Sequence, residues 1–196
     1  MTRPVAVAIT GGIGAGKSEA LRAFARHGAA TVSSDEIVHH LLVRDDVRDR
    51  VASRLGGGVV DPGTGKLDRQ AIATVVFNDR DALEWLEELL HPLVSAEYLR
   101  WRDQLAALPD APPVCVTEVP LLYEAGADSR FDKVVLVTAP RKLRDMRTEG
   151  RSLGREERFI PDAEKRKRAD YVYVNTGSLE ELDEFVASVM SGLVAG

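Results

Sequence analysis

Gly11-Gly12-Ile13-Gly14-Ala15-Gly16-Lys17-Ser18 stands between a short apolar run, Val5-Ala6-Val7-Ala8-Ile9, and Leu21, Phe24 and Ala25, which share one helical face. Gly28 is placed to stop that helix. The pattern is G-x-x-x-x-G-K-[ST] in a strand–turn–helix context, and it reads as a phosphate-binding loop. Glycines let the backbone curl so that successive N–H groups point inward at phosphate oxygens. The helix N-terminus adds partial positive charge. Lys17 would reach the β- and γ-phosphates, and Ser18 would offer its hydroxyl to Mg²⁺. The expectation is a nucleoside triphosphate held by Gly12, Ile13, Gly14, Ala15, Gly16, Lys17 and Ser18. The competing reading is a glycine-rich turn beside a surface lysine.

The whole chain bounds this reading. It has 196 residues, 44% hydrophobic and 29% charged, enough for one well-buried core with a lobe or two inserted. A single cysteine, Cys115, excludes an internal disulfide framework and fits a reducing compartment. No long apolar span, secretory leader or lipidation signal is evident, so the expected location is cytoplasmic, without a membrane partner. Four histidines without cysteine partners make no zinc pattern. The net charge of −5 argues against general nucleic-acid binding. Residues 141–168 nevertheless hold 11 of the 26 basic residues against 6 of the 31 acidic ones. A basic segment on an acidic protein suits a polyphosphate; the alternative is a solvated charged helix.

Outward from the loop, Ala30–Ser33 reads as a second strand running into Ser34-Asp35-Glu36, a helical start with acids in its first turn. Asp35 thus lies just beyond a strand's C-terminal end, where open parallel sheets bind ligands, or else serves as a capping carboxylate. Residues 44–80 are charged and less regular, with a turn or hairpin at Val59–Leu67. From Asp81, residues Ala82, Trp85, Leu86, Leu89 and Leu93 fall on one helical face. Pro92, after His91, should bend or restart that helix. Val114-Cys115-Val116-Thr117-Glu118 is an apolar strand ending in a carboxylate, the form of a Walker B strand. Two more strands are expected at Lys133–Val137 and Tyr171–Val174. Ser178 with Glu181 forms a capping box that opens the last helix.

Five strands separated by helices predict an α/β fold, a P-loop NTPase with a five-stranded parallel sheet flanked by helices. The expected organisation is a single kinase domain whose core is 1–34, 110–140 and 170–196. A helical substrate-binding insert occupies 35–109 and a lid 141–169. Phosphoryl transfer uses both kinds of insert, one to hold the acceptor and one to exclude water.

These motifs together resemble the dephospho-coenzyme A kinase family. The resemblance rests on Thr10–Ser18, Lys66-Leu67-Asp68-Arg69, Val76-Phe77-Asn78-Asp79, Leu90-His91-Pro92-Leu93-Val94, Val119-Pro120-Leu121-Leu122-Tyr123-Glu124 and Val174-Asn175-Thr176-Gly177-Ser178-Leu179-Glu180-Glu181-Leu182. It implies transfer of the ATP γ-phosphoryl to the ribose 3′-hydroxyl of dephospho-CoA, giving CoA and ADP, with Mg²⁺. It also implies roles for individual residues. Asp35 matches the general base, and with His91, Leu121 and Glu124 it belongs on the acceptor side. Lys17, Arg147 and Arg151 act on the phosphates, Glu19 and Asn175 join the ATP site, and Ser18 and Glu118 hold the metal. The chain departs from the family pattern at Ser33, where an aspartate is usual, at Glu19 for threonine and at Glu118 for aspartate. Its lid is about seven residues, roughly two helical turns, shorter, and Phe159 is nearest to the place of the usual lid glutamine. The alternatives are another small-molecule kinase, a P-loop switch protein, or a non-catalytic nucleotide-binding relative. A guanine-reading Asn-Lys-x-Asp is absent, as is a transporter signature loop. The expected partners are small molecules, for a monomer or small homo-oligomer.

Overall fold

The computed structural model describes residues 3–148 and 159–195. They form two compact units, one from the chain up to Ser34 together with Trp101 onward, the other Asp35–Arg100.

The first unit is built on strands β1 (Val5–Thr10), β2 (Ala30–Ser33), β3 (Val114–Glu118), β4 (Lys133–Thr138) and β5 (Tyr171–Val174). All neighbours are parallel, in the order β2-β3-β1-β4-β5. Parallel strands are buried on both faces, which is why β1, β3 and β4 read as continuous apolar runs. Side chains alternate faces as the strand period requires. Val7, Ile9, Val135 and Val137 pack with Phe24 of α1 (Lys17–Arg26) and with Leu182, Val186 and Val189 of α8 (Leu179–Ala195). Ala8 and Val134 pack on the other face with Leu122, Tyr123 and Ala127. Each such buried Val, Leu or Phe contributes about 1.5–3 kcal/mol. β1 lies at the centre, and its C-terminal end feeds the glycine-rich turn. The chain crosses to opposite sides of β1 to reach β3 and β4, so the turn occupies a topological switch point. The capping box is present in part: Ser178 Oγ accepts the Glu181 N–H at 3.3 Å.

The second unit contains α2 (Ser34–Leu42), which begins one residue before it, α3 (Asp45–Leu55), α4 (Arg69–Asn78) and most of α5 (Arg80–Ala106). Two sequence expectations are corrected here. The stretch 44–80, read as irregular, contains two full helices. α3 buries only Val47 and Val51, one turn apart, and is otherwise charged, with Arg48 paired to Asp45 and Asp49 at 2.7 Å each. Two apolar positions are too few to make a 3.6-residue period visible. α4 is announced by Asp68, whose side chain accepts Gln70 N–H at 2.8 Å and Ala71 N–H at 3.3 Å. The second correction is Pro92. α5 neither ends nor restarts there but runs through it, 27 residues in all from Arg80 to Ala106. Proline removes one N–H, and the carbonyl it deprives belongs to exposed Glu88, within reach of water. The expected turn at Val59–Leu67 is present as a Val60–Leu67 bridge. Asp61 Oδ1 closes it by accepting the Thr64 N–H at 2.7 Å, and these hydrogen bonds hold its carboxyl below the usual range.

Two further helices, α6 (Arg141–Arg147) and α7 (Asp162–Arg168), form the two ends of the basic segment 141–168.

Candidate active site

The turn at Gly11–Ser18 is shaped by backbone positions that only glycine occupies without strain. Gly11 has φ +144°, and a Cβ there would lie 1.9 Å from the Val137 carbonyl oxygen of the neighbouring strand. Gly14 and Gly16 have φ +73° and +103°. Lys17 opens α1, is buried, and curls back so that Nζ donates to the Gly12 carbonyl at 3.1 Å. Ser18 follows on the exposed first turn of α1, its Oγ 3.5 Å from Glu118 Oε1. Glu118 is the last residue of β3, buried, in register with Ile9 and Ser33. The sheet therefore delivers the carboxylate to the mouth of the loop. A hydroxyl and a carboxylate are hard oxygen donors, the set that Mg²⁺ takes alongside phosphate oxygens and water. The donors fit that ion.

Two further expected residues meet the same loop. Asn175, just past β5 and buried, donates from Nδ2 to the Ala15 carbonyl at 2.8 Å, and its own N–H donates to the Thr138 carbonyl at 2.6 Å. Arg147, at the end of α6, donates to the Gly14 carbonyl at 3.3 Å and to the Asn175 side-chain oxygen at 3.3 Å. Arg151, Arg155 and Arg158 lie outside the described residues. Glu19 has its carboxylate in ion pairs with Arg22 and, at 3.2 Å, Arg26. Arg26 and His27 also hold Asp183 of α8, and their hydrogen bonds lower its pKa.

Leu121 and Glu124 lie in the loop that continues from Glu118. Leu122 and Tyr123, between them, are buried in the core. Glu124 Oε1 accepts the Ile160 N–H at 2.9 Å and pairs with Lys165 Nζ at 2.8 Å. Lys165 is fully buried and is the only buried residue of α7. The same helix binds the core through Asp162, which accepts a hydrogen bond from Thr138, and through Arg168. The Arg168 guanidinium reaches Asp128 at 2.8 Å and lies 4.2 Å from the Tyr123 ring centre. Burial raises the Tyr123 phenol pKa and the Arg168 charge opposes it. Sequence reading missed Lys165, because nothing in Glu-Lys-Arg-Lys-Arg distinguishes it from its neighbours. The one available signal was its partner, a lone acid within the otherwise uncharged Val119–Ala127.

Asp35 and His91 belong to the second compact unit. Asp35 is exposed in the first turn of α2, two residues past the end of β2. His91 is exposed on α5, directly before Pro92. Among the described residues no three His, Cys, Asp or Glu side chains cluster as a metal site, and no helix is long and apolar enough to cross a membrane.

Comparison with known proteins bears on the family and the fold. A family model described as dephospho-CoA kinase matches residues 5–181. A dephospho-CoA kinase of Thermus thermophilus is 34% identical over 200 residues, which cover 98% of this chain and 94% of the relative. One of Brucella melitensis is 34% identical over 199 residues, covering 96% and 95%. The structure of dephospho-CoA kinase from Campylobacter jejuni matches with a TM-score of 0.73 and 26% identity, covering 97% of this chain and 98% of the other. A crystal structure from Thermus thermophilus matches at 0.76 and 34%, covering 98% and 99%. Shikimate kinase from Acinetobacter baumannii, at 0.51 and 15% over 96% and 94%, shares the fold.

Proposed function

Because the chain belongs to the dephospho-CoA kinase family, and so is an ATP-dependent kinase that phosphorylates a hydroxyl group, we propose how its own residues divide that work. The observation that carries the reading is the meeting of Lys17, Ser18, Glu118, Arg147 and Asn175 around one loop. Backbone N–H groups of Gly12–Ser18 hold the ATP phosphates, and Lys17 offsets charge on the β- and γ-phosphates. Ser18 and Glu118 hold Mg²⁺, which when bound spreads the negative charge of the phosphoryl group being transferred. Asp35 accepts the proton of the ribose 3′-hydroxyl as the new O–P bond forms and the bond from Pγ to the bridging oxygen breaks, releasing ADP. Its support is its place in the first turn of the helix after β2, at an exposed position. The unit Asp35–Arg100, with His91, takes the acceptor, and 141–169 is the lid. Leu121 lies on the acceptor side. Glu124, paired to Lys165, acts there by holding the loop after Glu118. Glu19 borders the ATP site. Arg147 and Arg151 meet the phosphates. The partners are ATP and dephospho-CoA, with neither nucleic acid nor membrane, in the cytoplasm, as a monomer or small homo-oligomer.

Asp35→Asn tests the assignment. The expected result is a loss of kcat of about 10²–10⁴-fold with ATP binding retained. Near-normal transfer to bound dephospho-CoA would remove Asp35 as the base.

A further inference from the structure

We propose that Asn175 is a positioning residue, which presets the phosphate loop by holding one of its peptide planes and does not itself read the nucleotide. The inference rests on the phosphate-loop reading above.

A trans peptide points its C=O and the following N–H to opposite sides, and the described chain has no cis peptide. Asn175 Nδ2 grips the Ala15 carbonyl at 2.8 Å from the β5 side. That contact turns the Gly16 N–H of the same peptide away from Asn175, and on this proposal it is left as a donor for a phosphate oxygen. Asn175 is itself fixed. Its N–H is bonded to Thr138 at the end of β4, and its side-chain oxygen accepts from Arg147. Its side chain is thus used on both ends, the amide group on the loop and the oxygen on the arginine. A Cβ at residue 16 would fall 2.2 Å from Asn175 Nδ2, so a side chain there would push the amide off the Ala15 carbonyl. Arg147 reinforces the hold one peptide earlier, on the Gly14 carbonyl. A preset donor needs no reorganisation when the phosphate arrives, and that raises affinity for the phosphates whatever base they carry.

The test compares ATP with inorganic tripolyphosphate, which has the phosphates but neither base nor ribose. Binding of each to the wild-type protein, Asn175→Ala and Asn175→Leu is measured by calorimetry. Asn175→Leu keeps the approximate shape and the backbone bonds while removing the donor without adding a charge, and it carries the comparison if the alanine variant does not fold. The expected result is a loss of about tenfold, the size of one hydrogen bond, that is equal for ATP and tripolyphosphate. A loss confined to ATP would assign Asn175 to the base and overturn the proposal, as would unchanged affinity for both. Failure of the wild-type protein to bind either ligand would instead overturn the phosphate-loop reading on which the proposal rests.

Discussion

At the scale of single residues, the glycines of the loop carry distinct demands. Gly11 stands where β1 leaves the sheet, and its missing side chain is what lets the loop backbone approach Val137 of β4. Gly11→Ala would drive a Cβ into a main-chain oxygen that cannot swing aside, at a φ that L residues rarely adopt. We expect a stability loss of about 2–3 kcal/mol in urea unfolding, with ATP affinity lost beyond detection. A variant as stable as the wild type would mean that the loop is looser than described. This demand was legible in sequence, because G-x-x-x-x-G-K-S after a strand specifies its own geometry. Asn175 was legible only as a position within a family motif. Its grip on Ala15 joins residues 160 positions apart, and nothing local encodes a hydrogen bond of that span.

At the scale of elements, α7 is held without apolar burial. Lys165 is the only residue it buries, opposite Glu124, and Asp162 and Arg168 fasten its two ends. Breaking one half of a buried pair strands the other charge, so Lys165→Met should cost about 3–5 kcal/mol in urea unfolding. The double variant Glu124→Gln, Lys165→Met should recover most of that loss, because neither side chain then carries a charge. A single variant within about 0.5 kcal/mol of wild type would contradict the buried pairing. The elements differ in how plainly the chain announces them. The strands of the sheet were readable because parallel strands are uninterrupted apolar runs. α3 and α4 were not, because α3 is held by surface ion pairs around two buried valines and α4 by its Asp68 cap with Ile72 its one buried residue. α5 passed through Pro92 because the residue lies on an exposed face where water can replace the lost bond.

At the scale of the molecule, the C-terminal ends of the central strands gather the residues proposed to handle phosphate. The central strand ends in the loop, the strand on one side ends in Glu118, and the strand on the other ends at Thr138, which positions both Asn175 and α7. The second unit is all helix and enters the chain directly after β2, with Asp35 at its first residue. The measurement that tests this division most directly is ADP formation from Mg·ATP with dephospho-CoA, AMP, shikimate or no acceptor, the product identified by mass. The expected result is turnover that depends on dephospho-CoA and yields CoA. Hydrolysis indifferent to acceptor, or preference for AMP or shikimate, would contradict it.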